Sequence, residues 1–588
     1  MGGAKIQGCE AGGLGRYVSQ VEGTLADLTQ RDAVARVWAK DPSLWKSDPD
    51  HQKIIRNSLG WLTVASTVRQ HASGLARFAV EVGQAGFRHV LLLGMGGSSL
   101  CPDVLRQTFG EAARFPRLGV LDTTDPASVQ AIERSLDLPH TLFIVASKSG
   151  TTPEITAFYQ YFFERVRTLG RERAGDQFVA ITDAGTALER TGAEATFRHV
   201  FLNPPDIGGR YSALSFFGMV PATLMGVDVL RLLDRADRMA QACRPGVPPK
   251  ENPGLCLGAI LGALAKAGRD KLTFVCSPEI ASFGYWVEQL VAESTGKDGT
   301  GILPVEGEVL GEPGVYGDDR VFVFLRLHDS RDRELDDKVN ALRQAGNPVV
   351  TIGLEDLYDL GAEFFRWEFA TAVAGAVMGV NPFDQPNVQE SKDNTKRLLA
   401  EFKANGRLPE GEPIFSDGPI RLYGDAASAA ALTDAKNMTD VLRAHLARIR
   451  PRDYVALTAY LQSTPAITEA LGAIRLHVRD HFKVATTVGY GPRFLHSTGQ
   501  LHKGGGDNGI FLQFTADDPV DLLIPGEPHS FGVMKAAQAL GDLQSLQSRK
   551  RRALRVHISG SIEAGLRRVL EAVKETRQNR RDTDSGSR

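Results

Sequence analysis

The stretch HTLFIVASKSGTTPEITAFYQYF, His140 to Phe162, decides how the rest of the chain is read. Leu142 to Ala146 is an apolar run rich in β-branched residues. The hydroxyl-rich loop Ser147-Lys148-Ser149-Gly150-Thr151-Thr152 follows it and ends at Pro153. This order predicts a strand, a loop and a helix start, with Thr152 at the N-cap, Pro153 at the first helical position and Glu154 in the first turn. Four hydroxyls, backbone N–H groups and the positive end of a helix converge there, which is what a phosphate dianion requires. Ser, Thr and Gly are also the ordinary residues of βα turns, so a plain connection is the competing reading. Four hydroxyls within six residues favour phosphate.

Working outward, strands and helices alternate. His89 to Leu93 reads as a buried strand running into Gly94-Met95-Gly96-Gly97-Ser98-Ser99-Leu100. That loop has neither the GxGxxG spacing of a dinucleotide site nor the lysine of a P-loop, but its glycines permit close approach to a ligand. Further strands are expected at Leu118 to Leu121, Phe178 to Thr182 and His199 to Leu202, which together predict a doubly wound parallel sheet with ligands at the strands' carboxyl ends. Asp206-Ile207-Gly208-Gly209-Arg210-Tyr211-Ser212 then sets an arginine on a Gly-Gly turn.

After the Pro-rich link RPGVPPKENPG a second α/β unit is expected, with strands at Leu272 to Cys276, Val321 to Leu325 and Pro348 to Ile352. Within it, Gln289 and Glu293 are four apart and share a helix face, while Glu288 points away. A lone glutamate there could equally be a solvated side chain. A third α/β unit follows NGRLPEGEP, with strands at Ile420 to Tyr423, Tyr454 to Leu461, Val484 to Val488, Ile510 to Phe514, Leu522 to Ile524 and Leu554 to Ile558. Helices are expected from about Arg16 to Gly83, a flexible Gly-rich start over residues 1–15, and a disordered tail over 577–588.

Composition excludes several classes. Lys and Arg total 68 against 70 for Asp and Glu, giving a net charge of −2, so nucleic acid is not an expected partner. The five cysteines, Cys9, Cys101, Cys243, Cys256 and Cys276, include no CxxC pair, which suits a reduced compartment. No leader pattern or long apolar run is present, so a soluble, cytoplasmic protein without membrane contact is expected. No metal-ligand spacing is convincing, and neither a metal nor a cofactor is expected.

The loops GMGGSS, SKSGTT, GGRYS and ESTGK, then Phe383-Asp384-Gln385-Pro386-Asn387-Val388-Gln389-Glu390-Ser391-Lys392, occur in an order that resembles the glucose-6-phosphate isomerase family. The likeness covers roughly residues 60–399. It implies two doubly wound sugar isomerase domains, over 16–245 and 246–404, with a C-terminal α/β domain over 405–576. The long form resembles the isomerase half of fused transaldolase–glucose-6-phosphate isomerase proteins. No barrel-sized region precedes that half, so transaldolase activity is not expected. By resemblance, phosphate falls to Ser147, Ser149, Thr151 and Thr152 with Gly97 and Ser98; Lys148, Gly209, Gln289 and Gln385 also contact substrate. Arg210 stands beside the reacting carbons, Glu293 is the base and Lys392 assists ring opening. The implied activity is aldose–ketose isomerisation of glucose 6-phosphate and fructose 6-phosphate in a homodimer. The alternatives are an isomerase that also accepts mannose 6-phosphate and a non-catalytic sugar-phosphate sensor.

The sequence departs from the family at Gln389, where members often carry a glutamate directly after the valine, and in the segment that follows Glu293. Family members carry a ring-opening histidine soon after the catalytic glutamate, whereas Gly301 to Asp319 contains none. The loop Phe494 to Asp507 in the third unit carries His496 and His502, either of which could supply the group; a structural or subunit-contact loop is the competing reading. His328, at a strand end, is a further candidate.

Overall fold

The computed structural model describes residues 6–7, 13–170, 173–409, 411–431 and 435–575. Strand β1 (Ile6–Gln7) precedes a helical stretch that ends with the long helix Trp61–Gln84. Strands β2 (His89–Gly94), β3 (Arg117–Leu121), β4 (Thr141–Ala146), β5 (Phe178–Asp183) and β6 (His199–Asn203) then form an all-parallel sheet in the order β3-β2-β4-β5-β6. Helices cover both faces, which is why β2 and β4 read as nearly unbroken apolar runs instead of alternating.

The second sheet holds β7 (Lys271–Cys276), β8 (Leu303–Val305), β9 (Arg320–Leu327) and β10 (Val349–Leu354) in the parallel order β8-β7-β9-β10. β1 closes the outer edge of β10 antiparallel. The stretch 1–15 is therefore not free throughout: Ile6 and Gln7 satisfy an otherwise open sheet edge, and the Gly13 carbonyl accepts from Val349 N–H. Residues 1–5, 8–12 and the tail 577–588 lie outside the described residues.

The third sheet contains β11 (Phe415–Asp417), β12 (Ile420–Tyr423), β13 (Tyr454–Tyr460), β14 (Ala485–Tyr490), β15 (Gly509–Ala516) and β16 (Arg552–Ile558), ordered β14-β13-β15-β16-β12-β11. Only the β11–β12 hairpin at its edge breaks the parallel run. Numbered in chain order, the parallel strands of all three sheets begin 2-1-3-4. The C-terminal extension thus repeats the doubly wound order of the first two units, which sequence reading did not anticipate.

Two local expectations are corrected. Leu522 to Ile524 forms no ladder strand, only a single bridge from Leu523 to Ser530. The Asp521 carboxylate gathers the N–H groups of Leu522 and Gly532 and the Ser530 hydroxyl, closing the segment into a loop. The stretch from Phe494 to Asp507 is not an open loop either, because it contains the short helices Arg493–His496 and Gly499–Gly504.

The first two units share one core, built around the helix Leu360–Met378, which is buried on nearly every side. Its closest neighbour is the helix Pro253–Lys266, whose Gly254, Gly258 and Gly262 recur every fourth residue and so lie on one face. That stripe lets the two helices touch: a Cβ on Gly258 would lie 2.6 Å from both the Ala370 carbonyl oxygen and the Val373 Cβ. The third unit has its own core and docks on the first through Phe531, whose ring stacks on Phe158 at 5.9 Å and meets Tyr161 at 5.6 Å. Gly258→Val is expected to cost about 1–3 kcal/mol or more through overpacking, read as a lower unfolding midpoint. Gly23→Ala, on a helix face with nothing within 4 Å, is expected to be neutral or stabilising; equal midpoints for the two variants would contradict this packing.

Candidate active site

The SKSGTT loop leaves the carboxyl end of β4 and enters the helix Pro153–Arg167, with Pro153 at the first turn. Thr152 occupies the N-cap position, but its hydroxyl meets Ser147 Oγ at 3.0 Å and does not cap the helix. Ser147 Oγ also accepts from Gly150 N–H at 3.1 Å, and Thr151 Oγ1 donates to Ser149 Oγ at 3.2 Å. Gly150 has φ +64°, and a Cβ there would lie 2.8 Å from Thr186 Cβ, so the turn needs a glycine. Ser149 and Thr151 are exposed at the rim while Ser147 is buried beneath them. Lys148 does not turn into this loop: its ammonium is held by Asp183 and by the Pro205 carbonyl at 2.9 Å.

The GMGGSS loop follows β2, the adjacent strand, and lies against the Arg210 loop. A Cβ on Gly97 would come within 2.0 Å of the Gly209 carbonyl oxygen, so this approach too requires glycine. Ser98 lies on the same short turn. Arg210 is buried and fully engaged. Its Nε donates to Ser294 Oγ at 2.7 Å, Nη2 to the carbonyls of Pro382 (2.8 Å) and Asp384 (2.9 Å), and Nη1 to Gln385 Oε1 at 3.0 Å. The same Nη1 is 3.1 Å from Glu293 Oε1.

Glu293 and Gln289 share a face of the helix Phe283–Thr295, and Gln289 Nε2 donates to Glu293 Oε2 at 3.1 Å. Lys297, just past that helix, donates to the Asp384 carboxylate at 2.7 Å and braces the loop that presents Gln385. Burial, with the nearby charge of Arg210, pushes its ammonium down to about 8 against the pull of Asp384. Lys392 lies exposed on the helix Pro386–Asn405.

The third unit reaches this site. The His496 carbonyl accepts from Gln289 Nε2 at 2.7 Å, and its imidazole Nε2 is 3.1 Å from Glu154 Oε1. Glu154 is buried in the first turn after the phosphate loop, and Gln538 also donates to its Oε1 at 2.8 Å. Burial alone would raise this carboxyl; the hydrogen bond and charge of His496 and the charge of Lys392 bring it below its usual value. Glu154 and Gln538 escaped sequence reasoning, which saw in Glu154 only a first-turn acid.

His502 is not brought here, and its expected role is corrected. It is packed among Tyr454, Phe494 and Phe511 in the third unit, where burial, with the charges of Lys503 and Arg551, pushes it down to about 3. His328 follows β9, exposed, with its N–H on the Leu354 carbonyl.

The arrangement has a carboxylate and a guanidinium in contact, beside an anion loop and a carboxylate-held imidazole. Residues 68–328 match the family model described as phosphoglucose isomerase. A Methanococcus maripaludis protein named probable glucose-6-phosphate isomerase is 31% identical over 360 residues, covering 54% of this chain and 80% of that protein. The chain belongs to the phosphoglucose isomerase family. A further family relative, named glucose-6-phosphate isomerase, from Rubrobacter xylanophilus is 29% identical over 428 residues, 64% of this chain and 95% of that protein. Among solved structures, the fold is similar to that of a hypothetical protein from Thermus thermophilus (TM-score 0.58, 23% identity, 68% of this chain and 100% of that one). It is also similar to that of a glucose-6-phosphate isomerase from Chlamydia trachomatis (TM-score 0.55, 20% identity, 65% and 86%). No helix among the described residues is long and apolar enough to cross a membrane.

Glu288, one step round from Gln289, faces away from this site as expected and accepts from Ser497 Oγ at 2.8 Å. Burial, then the neighbouring carboxylate of Glu306, pushes it up to about 8 from 4.5. The folded state therefore holds a proton that the unfolded chain releases, and stability falls as pH rises between those values. Glu288→Gln cannot ionise, so its unfolding midpoint is expected to gain on the wild type from about pH 5 to about pH 8; a constant difference across that window would contradict the assignment.

Proposed function

We propose that this protein interconverts D-glucose 6-phosphate and D-fructose 6-phosphate through a cis-enediol. The observation that carries the reading is the buried contact of Glu293 with Arg210 and Gln289, at the carboxyl ends of strands that also bear the phosphate loop.

Moving a proton between C1 and C2 needs one base that takes it and gives it back, and Glu293 is suited to this. As the proton leaves C2 of the aldose, negative charge grows on the carbonyl oxygen at C1. A guanidinium already fixed by Ser294, Pro382 and Asp384 stabilises that charge without reorganising. Ser147, Ser149, Thr151 and Thr152, with Gly97 and Ser98, hold the phosphate at the far end of the sugar, while Gly209, Gln289 and Gln385 line the reacting end. The resting sugar is a closed ring, so its ring oxygen must gain a proton and its anomeric hydroxyl must lose one. His496, oriented by Glu154, is the candidate for the first transfer, and Lys392 for assistance at the second.

The histidine comes from the same chain as the glutamate, so the site does not need a second subunit to supply it. We read the protein as a cytoplasmic homodimer, divided into units over 16–245, 246–404 and 405–576. A sensor that only bound sugar phosphate would need neither the Glu293–Arg210 pair nor the Glu154–His496 pair.

The test is formation of fructose 6-phosphate followed by a coupled assay. Glu293→Gln is expected to lower kcat by about 10²–10⁴ or more, the range for loss of a positioned base, with a much smaller change in KM. Full activity in that variant, or no isomerisation by the wild type, would overturn the reading.

A further inference from the structure

The helix Phe283–Thr295, which carries Gln289 and Glu293, ends in the turn Gly296-Lys297-Asp298-Gly299. The third unit closes over this turn. Gln500 Nε2 donates to the Gly296 carbonyl at 2.9 Å, and Gly299 N–H donates to the Gly504 carbonyl at 3.0 Å. A Cβ on Gly296 would lie 2.4 Å from Leu501 Cα, so the two backbones are packed to contact. Lys297 is thereby buried. An ammonium taken out of water is costly unless its charge is met and its protons are bonded. Asp384 meets it: Lys297 Nζ donates to the Asp384 carbonyl at 2.5 Å and to Oδ1 at 2.7 Å.

The same loop holds Arg210. The Asp384 carbonyl also accepts from Arg210 Nη2 at 2.9 Å, and the next residue, Gln385, accepts from Nη1 at 3.0 Å. That Nη1 is the atom 3.1 Å from Glu293. The ammonium thus fixes, from behind, the loop against which the guanidinium is oriented. On the far side of the Asp384 carboxylate, Oδ2 accepts from Asn381 Nδ2 at 3.0 Å and lies 3.1 Å from His51 Nδ1 on the helix Pro49–Arg56. Asp298 pairs instead with Lys46 at 2.9 Å. The charges that act on Lys297 are therefore Asp384 from the loop, Arg210 from its own turn and Glu293 from the preceding helix, with His51 beyond Asp384.

We propose that Lys297 is a positioning residue for the isomerisation: its ammonium holds the Asp384–Gln385 loop and, through that loop, keeps Arg210 aimed at the enediolate oxygen. The inference rests on the isomerase reading and adds to it a group that acts without taking or giving a proton to the sugar. It also gives the site an alkaline limit. Burial, with the charge of Arg210, brings the ammonium down to about 8 against the pull of Asp384 and Glu293. Below that pH Lys297 is charged and the hold on Asp384 is complete; above it the proton leaves, and the ion pair is lost. Because kcat/KM reports the ionisations of the free enzyme, its pH profile carries this step.

The test is the pH profile of kcat/KM for fructose 6-phosphate formation by the full-length wild type, Lys297→Met and Asp384→Asn. At neutral pH Lys297→Met is expected to lose about 10–10²-fold in kcat, the scale on which misplacing a reacting group acts, with a smaller change in KM. Wild type is expected to descend through a step near pH 8 towards the level of Lys297→Met, which shows no such step. Asp384→Asn keeps the shape of the side chain but removes the charge that retains the proton, so its step is expected at lower pH than that of wild type. If wild type does not isomerise, the isomerase reading itself fails. If wild type isomerises but Lys297→Met keeps full kcat, or keeps the same alkaline step, the step belongs to another group and the positioning role alone is overturned. A step that stays in place in Asp384→Asn also overturns it.

Discussion

One buried carboxylate ties the molecule together. Glu154 stands in the first helical turn behind the phosphate loop, and its Oε1 receives both the imidazole of His496 and the side-chain amide of Gln538 from the third unit. A carboxylate taken out of water without partners is costly, and here the partners come from residues more than three hundred positions away. The C-terminal unit is therefore more than an appendage to a two-unit enzyme, since the charge at the base of the phosphate loop is satisfied only when that unit is docked. Phe531 stacked on Phe158 supplies the apolar part of the same contact.

The same docking accounts for the departure of this chain from its family. The segment Gly301 to Asp319 has no histidine, and in the proposed mechanism the short helix Arg493–His496 supplies the one that opens the ring. A Cβ on Gly96 would lie 3.0 Å from His496 Cβ and 2.9 Å from Gln289 Nε2, so glycine loop, helix and histidine are packed to contact. The site draws its groups from all three units: loops at the carboxyl ends of β2, β4 and β6 in the first, the last turns of the helix Phe283–Thr295 in the second, and the short helix that follows β14 in the third.

Much of this was legible in the sequence because it rests on local rules. Thr152-Pro153 marked the helix start, the apolar runs marked β2 and β4, and the four-residue spacing put Gln289 and Glu293 on one face. What could not be read depends on long-range register and docking. Glu154 and Gln538 gain their meaning only from each other. Lys148 is held by Asp183, thirty-five residues on, a pairing that local pattern does not reveal. His496 and His502 are six apart in one segment and indistinguishable by composition, yet one faces the glycine loop and the other an aromatic cage. The third sheet's repeat of the 2-1-3-4 order is invisible in residue patterns because the order in which strands pair leaves no local signature.

The central claim is that His496, held by Glu154 and delivered by the third unit, opens the sugar ring. The most direct measurement compares His496→Ala with wild type on fructose 6-phosphate, which closes into a ring, and on 5-deoxyfructose 6-phosphate, which lacks the hydroxyl that closes it. The account predicts that kcat on the cyclic substrate falls by about 10²-fold or more, the scale for loss of a general acid, while isomerisation of the open-chain analogue stays near the wild-type rate. An equal loss on both substrates, or no loss on either, would contradict it.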